Sequence, residues 1–365
     1  MATEAENEHV ETSPGRAGEV CVTDAIPSLS VDSLAARQLL QLINGYRVTQ
    51  AIYVLATLGL PDLIGDRVCC SRDLAETTRC NADALYRLLR ALAAVGVLNE
   101  HPSKKFSLTE LGLLLRSEAS GSRTRWARFV ARPPMWAAWG QLLHTVRTGQ
   151  NAFQHVHGKD TWQFRTDDAE ESQIFDAAMR EGSSRSAEEI LAHYDFKQFS
   201  HIVDVGGGDG TLLAAILARC PEALGTLLDL SHVAACANSV FANAGMADRT
   251  SVVCGSFFDE VPRWGNAYLL KHIVHDWEDA EAIAILCACR RAAAPGAKII
   301  LVERVMGASN QAADAPFADL NMMVNAGGRE RTREQFIDLL AAADLKLTAL
   351  VVLPGPNCII EAICM

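Results

Sequence analysis

Hydrophobic positions follow two regimes along the chain. Up to about residue 195, apolar side chains recur at three- and four-residue spacing, which predicts helices. Residues 34–60 carry one such pattern, and Ala51 to Leu60 has hardly a polar face. A helix apolar all round must be covered on all sides. In a small N-terminal domain that points to a subunit interface, hence a homodimer. Residues 71–115 read differently: Ser71 caps a helix at 72–77, and Asn81 caps a longer one at 82–95 with Leu85, Leu88, Leu89 and Leu92 on one face. Two short strands at 97–98 and 105–108 flank a His101-Pro102-Ser103 turn, and Thr109 caps a further helix. Helix, helix and β-wing form a winged-helix outline. Helices at 135–146 and 169–193 follow, with Trp136, Trp139, Phe153, Trp162, Phe164 and Phe175 concentrated there.

From His201 the pattern changes. Short apolar runs at 202–205, 225–229, 250–254, 267–270 and 298–303 alternate with helical segments. A final pair at 345–352 and 358–364 is split by the Pro354-Gly355-Pro356-Asn357 turn. This alternation predicts an α/β, Rossmann-like, doubly wound and mostly parallel sheet. The closing pair is antiparallel, because a short turn cannot make a parallel crossover. The chain divides into an acidic disordered tail (1–30), a winged-helix-like dimerisation domain (31–117), a helical linker and lid (118–195) and an α/β domain (196–365).

Composition narrows the function. The 365 residues are 49% hydrophobic and 21% charged, a globular mix, and no apolar run reaches membrane-span length. The net charge of −11 argues against nucleic acid, despite Arg123, Arg125, Arg128 and Arg132 near the wing. The start of the chain has no signal-peptide pattern. Eleven scattered cysteines lack CxxC spacing, as expected of buried thiols in a reducing cytoplasm.

The segment Val203-Asp204-Val205-Gly206-Gly207-Gly208-Asp209-Gly210 carries the sharpest chemistry. Strand, glycine turn and helix open a nucleotide-type pocket, with helix N–H groups facing the ligand. The spacing is GxGxG, not GxGxxG, and no Gly-Lys-Ser/Thr of a P-loop follows. Asp229 ends the second strand, where a carboxylate accepts hydrogen bonds from ribose hydroxyls. His275 follows the fourth strand, Glu303 ends the fifth, and Glu330 lies in a loop before the next helix. A histidine with two carboxylates at strand ends suggests a base with orienting partners. His272 reads as structural.

These residues match a family. The glycine loop, Leu228-Asp229-Leu230-Ser231-His232-Val233, Gly255-Ser256-Phe257-Phe258, Lys271 with His275-Asp276-Trp277, and Gly327-Gly328-Arg329-Glu330-Arg331-Thr332 occur in order. With the run from Trp139 to Gly149, they resemble the S-adenosylmethionine-dependent small-molecule O-methyltransferases of the caffeate type, nearest the bacterial natural-product branch. The resemblance implies a winged-helix-like dimerisation domain on a seven-stranded sheet, and S-adenosyl-L-methionine as cofactor with S-adenosyl-L-homocysteine as product. It implies that Gly206 and Gly208 line the methionine part with Asp204 nearby. Asp229 would hold the ribose, Leu230, Ser256 and Phe257 would flank the adenine, and Lys271 and Ser183 would reach the polar end. Ser184 and Ser186 are alternatives to Ser183. His275 would be the general base, supported by Glu303 and Glu330. Phe175, Met179, Met322 and Asn325 would touch the acceptor. Ser256 stands where plant relatives carry Asp.

The implied chemistry is in-line methyl transfer to a phenolic or enolic hydroxyl, and no metal-holding carboxylate cluster is expected. A phenol near pKa 10 facing an ordinary imidazole near 6.5 leaves roughly 5 kcal/mol uphill for complete proton transfer. The proton would therefore leave as the methyl arrives. The rival readings are a relative with hydroxylase or decarboxylase chemistry, a winged-helix ligand-responsive regulator, and N-methylation.

Overall fold

The structure, a computed structural model, describes residues 33–307 and 314–364. The tail expected at 1–30 lies outside the described residues. The described residues fall into two compact units, divided between Tyr46 and Arg47.

In the first unit, the Ser33 hydroxyl accepts from the Ala36 N–H at 3.1 Å and caps α1 (Leu34–Ile43). Leu39, Leu40, Leu42 and Ile43 are exposed. The helical pattern expected through 34–60 is cut into three pieces. After α1 come α2 (Gly45–Thr57) and α3 (Leu60–Ile64). Asn44 closes the first piece, and Gly59, at φ 64°, sets up the Pro61-bearing start of the third. In the single chain Ala51 to Leu60 is not covered all round. Leu55, Ala56 and Leu60 are buried, while Val54 is exposed.

The winged-helix outline is present within the second unit. It comprises β1 (Cys69–Cys70), α4 (Ser71–Thr78), α5 (Ala82–Ala94), β2 (Leu98–His101), β3 (Lys105–Leu108) and α6 (Glu110–Leu113), with strand order β1-β3-β2. Asn81 caps α5, accepting from the Asp83 and Ala84 N–H groups at 3.1 and 3.0 Å. Ser71 does not cap α4. It is the first helical residue, and the preceding Cys70 offers no side-chain bond. Leu85, Leu89 and Leu92 close on Leu55, Ile64 and Phe106.

Five short helices lead to a long one: α7 (Thr124–Val130), α8 (Pro133–Trp139), α9 (Leu142–Thr148), α10 (Ala152–His157), α11 (Thr161–Asp167) and α12 (Ala169–His193). The single helix expected at 135–146 is two, because Gly140 ends α8. Asp168 caps α12 through the Glu170 and Glu171 N–H groups.

The remainder builds a seven-stranded sheet and, from residues 305–306 and 331–332, a separate two-stranded parallel one. Its elements are β4 (His201–Val205), α13 (Thr211–Arg219), β5 (Leu224–Asp229), α14 (Ser231–Ala234), α15 (Ala237–Asn243), β6 (Thr250–Cys254), β7 (Ala267–Lys271), α16 (Asp279–Ala292), β8 (Lys298–Glu303), β9 (Val305–Met306), α17 (Asp314–Asn321), β10 (Arg331–Thr332), α18 (Arg333–Ala342), β11 (Leu345–Val352) and β12 (Cys358–Cys364). Seven strands run in the order β11-β12-β8-β7-β4-β5-β6. Five are parallel, and β12 pairs antiparallel with both β8 and β11. Alternate strand residues feed two cores. Ile202, Leu227 and Leu269 meet α13 and α15, whereas Val203, Leu228 and Leu270 meet α16 and α18. Each fully buried leucine or isoleucine contributes roughly 1.5–3 kcal/mol. Strand order reverses at β4, between β5 and β7. That reversal opens a crevice at the carboxyl ends of these strands.

Candidate active site

The glycine turn sits at that crevice. Gly206, Gly208 and Gly210 have φ of 70°, 66° and 82°, which side-chain-bearing residues rarely adopt. A Cβ on Gly206 would lie 2.4 Å from Ile273, so the backbone there is packed. A Cβ on Gly208 would meet nothing within 4 Å, so open space faces that residue. Asp229, across from it, accepts from the Gly208 N–H at 2.8 Å and from the Leu230 N–H at 2.7 Å. Burial, outweighing these two bonds, pushes its carboxyl up to about 6. Asp204 is buried with its Oδ2 unpartnered among the described residues. Burial, then the charge of Asp229, pushes it up to about 7.

Lys271 at the end of β7 donates to the Ser183 hydroxyl of α12 at 3.3 Å. Of the three serines considered, Ser183 is the one joined to this lysine. Ser186 bonds back to its own helix. Burial lowers the Lys271 ammonium to about 8, against the pull of Glu303 and Asp204. His272, at φ 55°, bonds Asn357 Oδ1 through Nε2 at 2.9 Å and faces Lys271 Nζ at 3.4 Å through Nδ1. The amine donates to Nδ1, so the ring carries its proton on Nε2. Burial, with the charge of Lys271 beside it, holds its pKa well below the usual imidazole range. Ser256 Oγ accepts from the Phe258 N–H at 3.2 Å, and Phe257 packs edge-on to Trp277.

The strand ends converge on His275, which lies in a 3-10 turn, Val274–Asp276. Its Nδ1 is 3.3 Å from Glu303 Oε2 and 3.3 Å from Glu330 Oε1, while Nε2 is 3.6 Å from Asp276 Oδ1. Burial alone would lower its pKa. The carboxylates of Glu303, Asp276 and Glu330 outweigh it and hold the imidazole at about 9. The imidazole is therefore more basic than a free one near 6.5, the direction that two supporting carboxylates imply. Glu303 is buried, and its Oε1 accepts from the Ile273 and Val274 N–H groups at 3.1 and 2.9 Å. Burial raises it to about 7. Burial pushes Glu330 the same way, but His275 and Arg304, 3.3 Å away, pull it below the usual range.

The histidine and its two carboxylates come together as the sequence reading grouped them, close enough to be weighed as a metal site. His275, Glu303 and Glu330 bring three potential ligand atoms within 4.8 Å of one another. Arg304 places a positive charge beside Glu330, which opposes a cation at this spot.

On the other side, Phe175 and Met179 join Phe129, Met135, Phe153 and Val324 in an apolar wall. Met322 and Asn325 occupy a π-helical turn, Met322–Ala326, a form often found at functional sites. Asn325 is buried, donates to Asn321 Oδ1 at 2.7 Å, and keeps Oδ1 unpartnered among the described residues. Sequence reasoning missed Arg331, Arg304 and Arg165, whose partners come from distant segments. It also missed the ion pair between Arg180 on α12 and Asp209 in the glycine turn.

Residues 139–346 match the O-methyltransferase domain and residues 40–118 the O-methyltransferase dimerisation domain. The chain belongs to the O-methyltransferase family. The methyltransferase is 37% identical to phenazine O-methyltransferase PhzM of Lysobacter antibioticus, over 89% of this chain and 95% of that protein. It is 36% identical to 8-amino-8-demethylriboflavin N,N-dimethyltransferase of Streptomyces davaonensis, over 89% and 94%. The structure of NcsB1 from neocarzinostatin biosynthesis, in complex with S-adenosylmethionine and 2-hydroxy-5-methyl naphthoic acid, superimposes with a TM-score of 0.77 at 33% identity, covering 87% of this chain and 96% of that one. The seven-stranded sheet and the N-terminal module are those the sequence predicts. Among the described residues, no helix is long and apolar enough to cross a membrane.

Proposed function

We propose that the methyltransferase moves a methyl group from S-adenosyl-L-methionine to a phenolic or enolic hydroxyl of an aromatic natural product, with His275 as general base. The observation that carries this reading is the imidazole Nδ1 lying 3.3 Å from both Glu303 and Glu330. Two carboxylates on Nδ1 keep that nitrogen protonated and leave Nε2 to take a proton.

The crevice fits the cofactor. Gly208 presents backbone beside open space, Asp229 ends its strand there, and the orphaned Asp204 oxygen and Lys271–Ser183 pair supply polar partners. Asp229 is assigned to the ribose and Leu230, Ser256 and Phe257 to the adenine. Gly206, Gly208 and Asp204 are assigned to the methionine part, with Lys271 and Ser183 at its carboxylate or amino end. When bound, the sulfonium supplies an electrophilic methyl. Phe175, Met179, Met322 and Asn325 orient the acceptor, so that alignment rather than covalent chemistry is the protein's main contribution. With His275 held at about 9, the gap to a phenol shrinks to about one unit, roughly 1.4 kcal/mol. The raised basicity brings the proton nearly within reach before the methyl moves. No metal takes part in this reading.

Arg304 beside Glu330 and the two carboxylates 3.3 Å from Nδ1 favour base chemistry over the hydroxylase, decarboxylase and regulator alternatives. N-transfer would need no such base at full strength. The matched dimerisation domain and the exposed Leu42 and Ile43 support a homodimer. The ten described cysteines are free, as suits a cytoplasmic enzyme.

The test is His275→Ala with labelled cofactor and a panel of phenols, in the presence of EDTA. Turnover falls roughly 10²–10⁴-fold while cofactor affinity by calorimetry holds. Near-native turnover in the variant, or loss of wild-type turnover to EDTA, overturns the reading.

A further inference from the structure

Arg165, in the last turn of α11, is nine-tenths buried. A buried guanidinium ordinarily has a carboxylate or several carbonyls on its five N–H groups. Arg165 makes no hydrogen bond or ion pair within 4.0 Å among the described residues. Its partners are aromatic rings instead. The guanidinium carbon lies 3.6 Å from the Phe175 ring centre, 5.0 Å from Trp162 and 5.8 Å from Phe129. At 3.6 Å the group must lie nearly flat on Phe175, since tilting would drive a nitrogen into the ring. Flat stacking leaves the N–H edges pointing sideways, unused.

A second orphan donor sits beside it. The Trp162 Nε1–H is buried and has no hydrogen-bond partner among the described residues. The Trp162 ring stacks on Trp277, centroids 6.1 Å apart and 17° from parallel, and Trp277 follows His275-Asp276 directly. The orphan donors therefore border the proposed acceptor pocket. The carboxylates nearest in effect on Arg165 are Asp276, Asp176 and Glu171. None of them forms an ion pair with it, and Glu171 is already paired to Arg132.

We propose that Arg165, with the Trp162 indole N–H, binds a carboxylate carried by the aromatic acceptor, so that the substrate is a hydroxyaryl carboxylic acid. The inference rests on the acceptor pocket being the one proposed above. The rest of the pocket is acidic, with Asp276, Glu303 and Glu330 around the base. An anionic acceptor entering it would be repelled without a compensating cation. Arg165 is that cation, and its planar fork matches a carboxylate two-to-two. The apolar wall takes the ring system, and the guanidinium fixes which hydroxyl meets His275.

The experiment uses the full-length protein saturated with S-adenosyl-L-homocysteine. Calorimetry compares 1-hydroxy-2-naphthoate, 3-hydroxy-2-naphthoate and 6-hydroxy-2-naphthoate, each against its methyl ester. At least one acid binds wild type about 10–100-fold more tightly than its ester. In Arg165→Gln that ratio falls to about one, and Arg165→Lys keeps part of it. If no acid outbinds its ester on wild type, or the preference survives Arg165→Gln, the proposal is overturned. The wild-type comparison holds even if the variants misfold. Labelled-methyl transfer to the same six compounds separates the two readings. Arg165-dependent acid binding without any methylation keeps the carboxylate site and removes the transfer reaction. Equal methylation of acids and esters without binding preference does the reverse.

Discussion

Arg331 donates from Nη1 to the Val274 carbonyl at 3.0 Å, one residue before the proposed base. Its Nη2 reaches the Trp277 carbonyl at 2.9 Å, and Nε and Nη2 hold Asp279 Oδ1 at 3.0 and 2.7 Å. One guanidinium thus grips both ends of the turn that carries His275. It is almost wholly buried, and β10, which contains it, leads straight from Glu330. Base and supporting carboxylate are therefore tied to a single rigid point.

Replacing Arg331 by Gln leaves two buried carbonyls without donors and loosens the turn. The expected cost is about 3 kcal/mol of folding stability, from roughly 1–3 kcal/mol per orphaned group. Urea unfolding measures it. Turnover per folded molecule falls as well, with cofactor affinity little altered. A variant as stable and active as wild type would show that the grip is incidental.

The raised pKa of His275 predicts an unusual pH profile. The base must be neutral at Nε2, so kcat/KM climbs with pH until about 9, where the free enzyme's imidazole loses its extra proton. Below that, each unit of pH costs about tenfold. The sign follows from the neighbours: carboxylates stabilise the imidazolium, so removing one lowers the titration point. Glu303→Gln shifts the acid limb of the profile downward and reduces the plateau, because the neutral ring is then the weaker base. The limb of kcat lies lower than that of kcat/KM, since the sulfonium adds positive charge near the ring. An acid limb at 6.5 in wild type contradicts the electrostatic picture.

Sheet and motifs are legible in the sequence because their physics is local. The glycine turn and the capping Asn81 each act within a few residues of where they stand. Strand bounds at 250–254, 298–303, 345–352 and 358–364 match the sequence reading for the same reason. The direction in which His275 is shifted is legible from its two carboxylates, but the size of the shift is not. It depends on Glu303 and Glu330, which lie 28 and 55 residues away, being buried with the ring, and burial is a property of the whole fold. Ser71 misleads because a serine before a helix pattern fits either the cap or the first turn. Arg165 gives no signal, since an arginine among aromatics looks like any exposed one until its exposure is known.

Asp229 does more than its proposed contact with the ribose requires. It holds the Gly208 N–H at 2.8 Å, which fixes the left-handed glycine in place. Asp229→Ala therefore loses the hold on the turn as well as the proposed ribose acceptor. Affinity for S-adenosyl-L-homocysteine, read by calorimetry, falls by about 10²-fold, from charge-assisted bonds of about 1.5–3 kcal/mol each. Asp229→Asn keeps an acceptor oxygen for one N–H and falls less. Unchanged affinity in the alanine variant removes Asp229 from the cofactor site.

Gly328 shows why the loop before Glu330 begins with two glycines. A Cβ there would lie 2.2 Å from the His275 carbonyl oxygen and 2.3 Å from the Asp276 carbonyl carbon. Both are backbone atoms, so no side chain can swing aside. Gly328→Ala must push the loop and the histidine turn apart, and Glu330 moves with the loop. The Glu330 carboxylate, 3.3 Å from Nδ1 in the native site, then draws away from the ring, while Glu303, on β8, stays in place. Turnover falls by roughly 10- to 100-fold, since a displacement of about 1 Å can cost 10². The acid limb of kcat/KM drops below 9 but stays above the ordinary imidazole range, because Glu303 still faces Nδ1. A Gly328→Ala enzyme with wild-type turnover and an unmoved limb would mean that the loop does not set the position of Glu330.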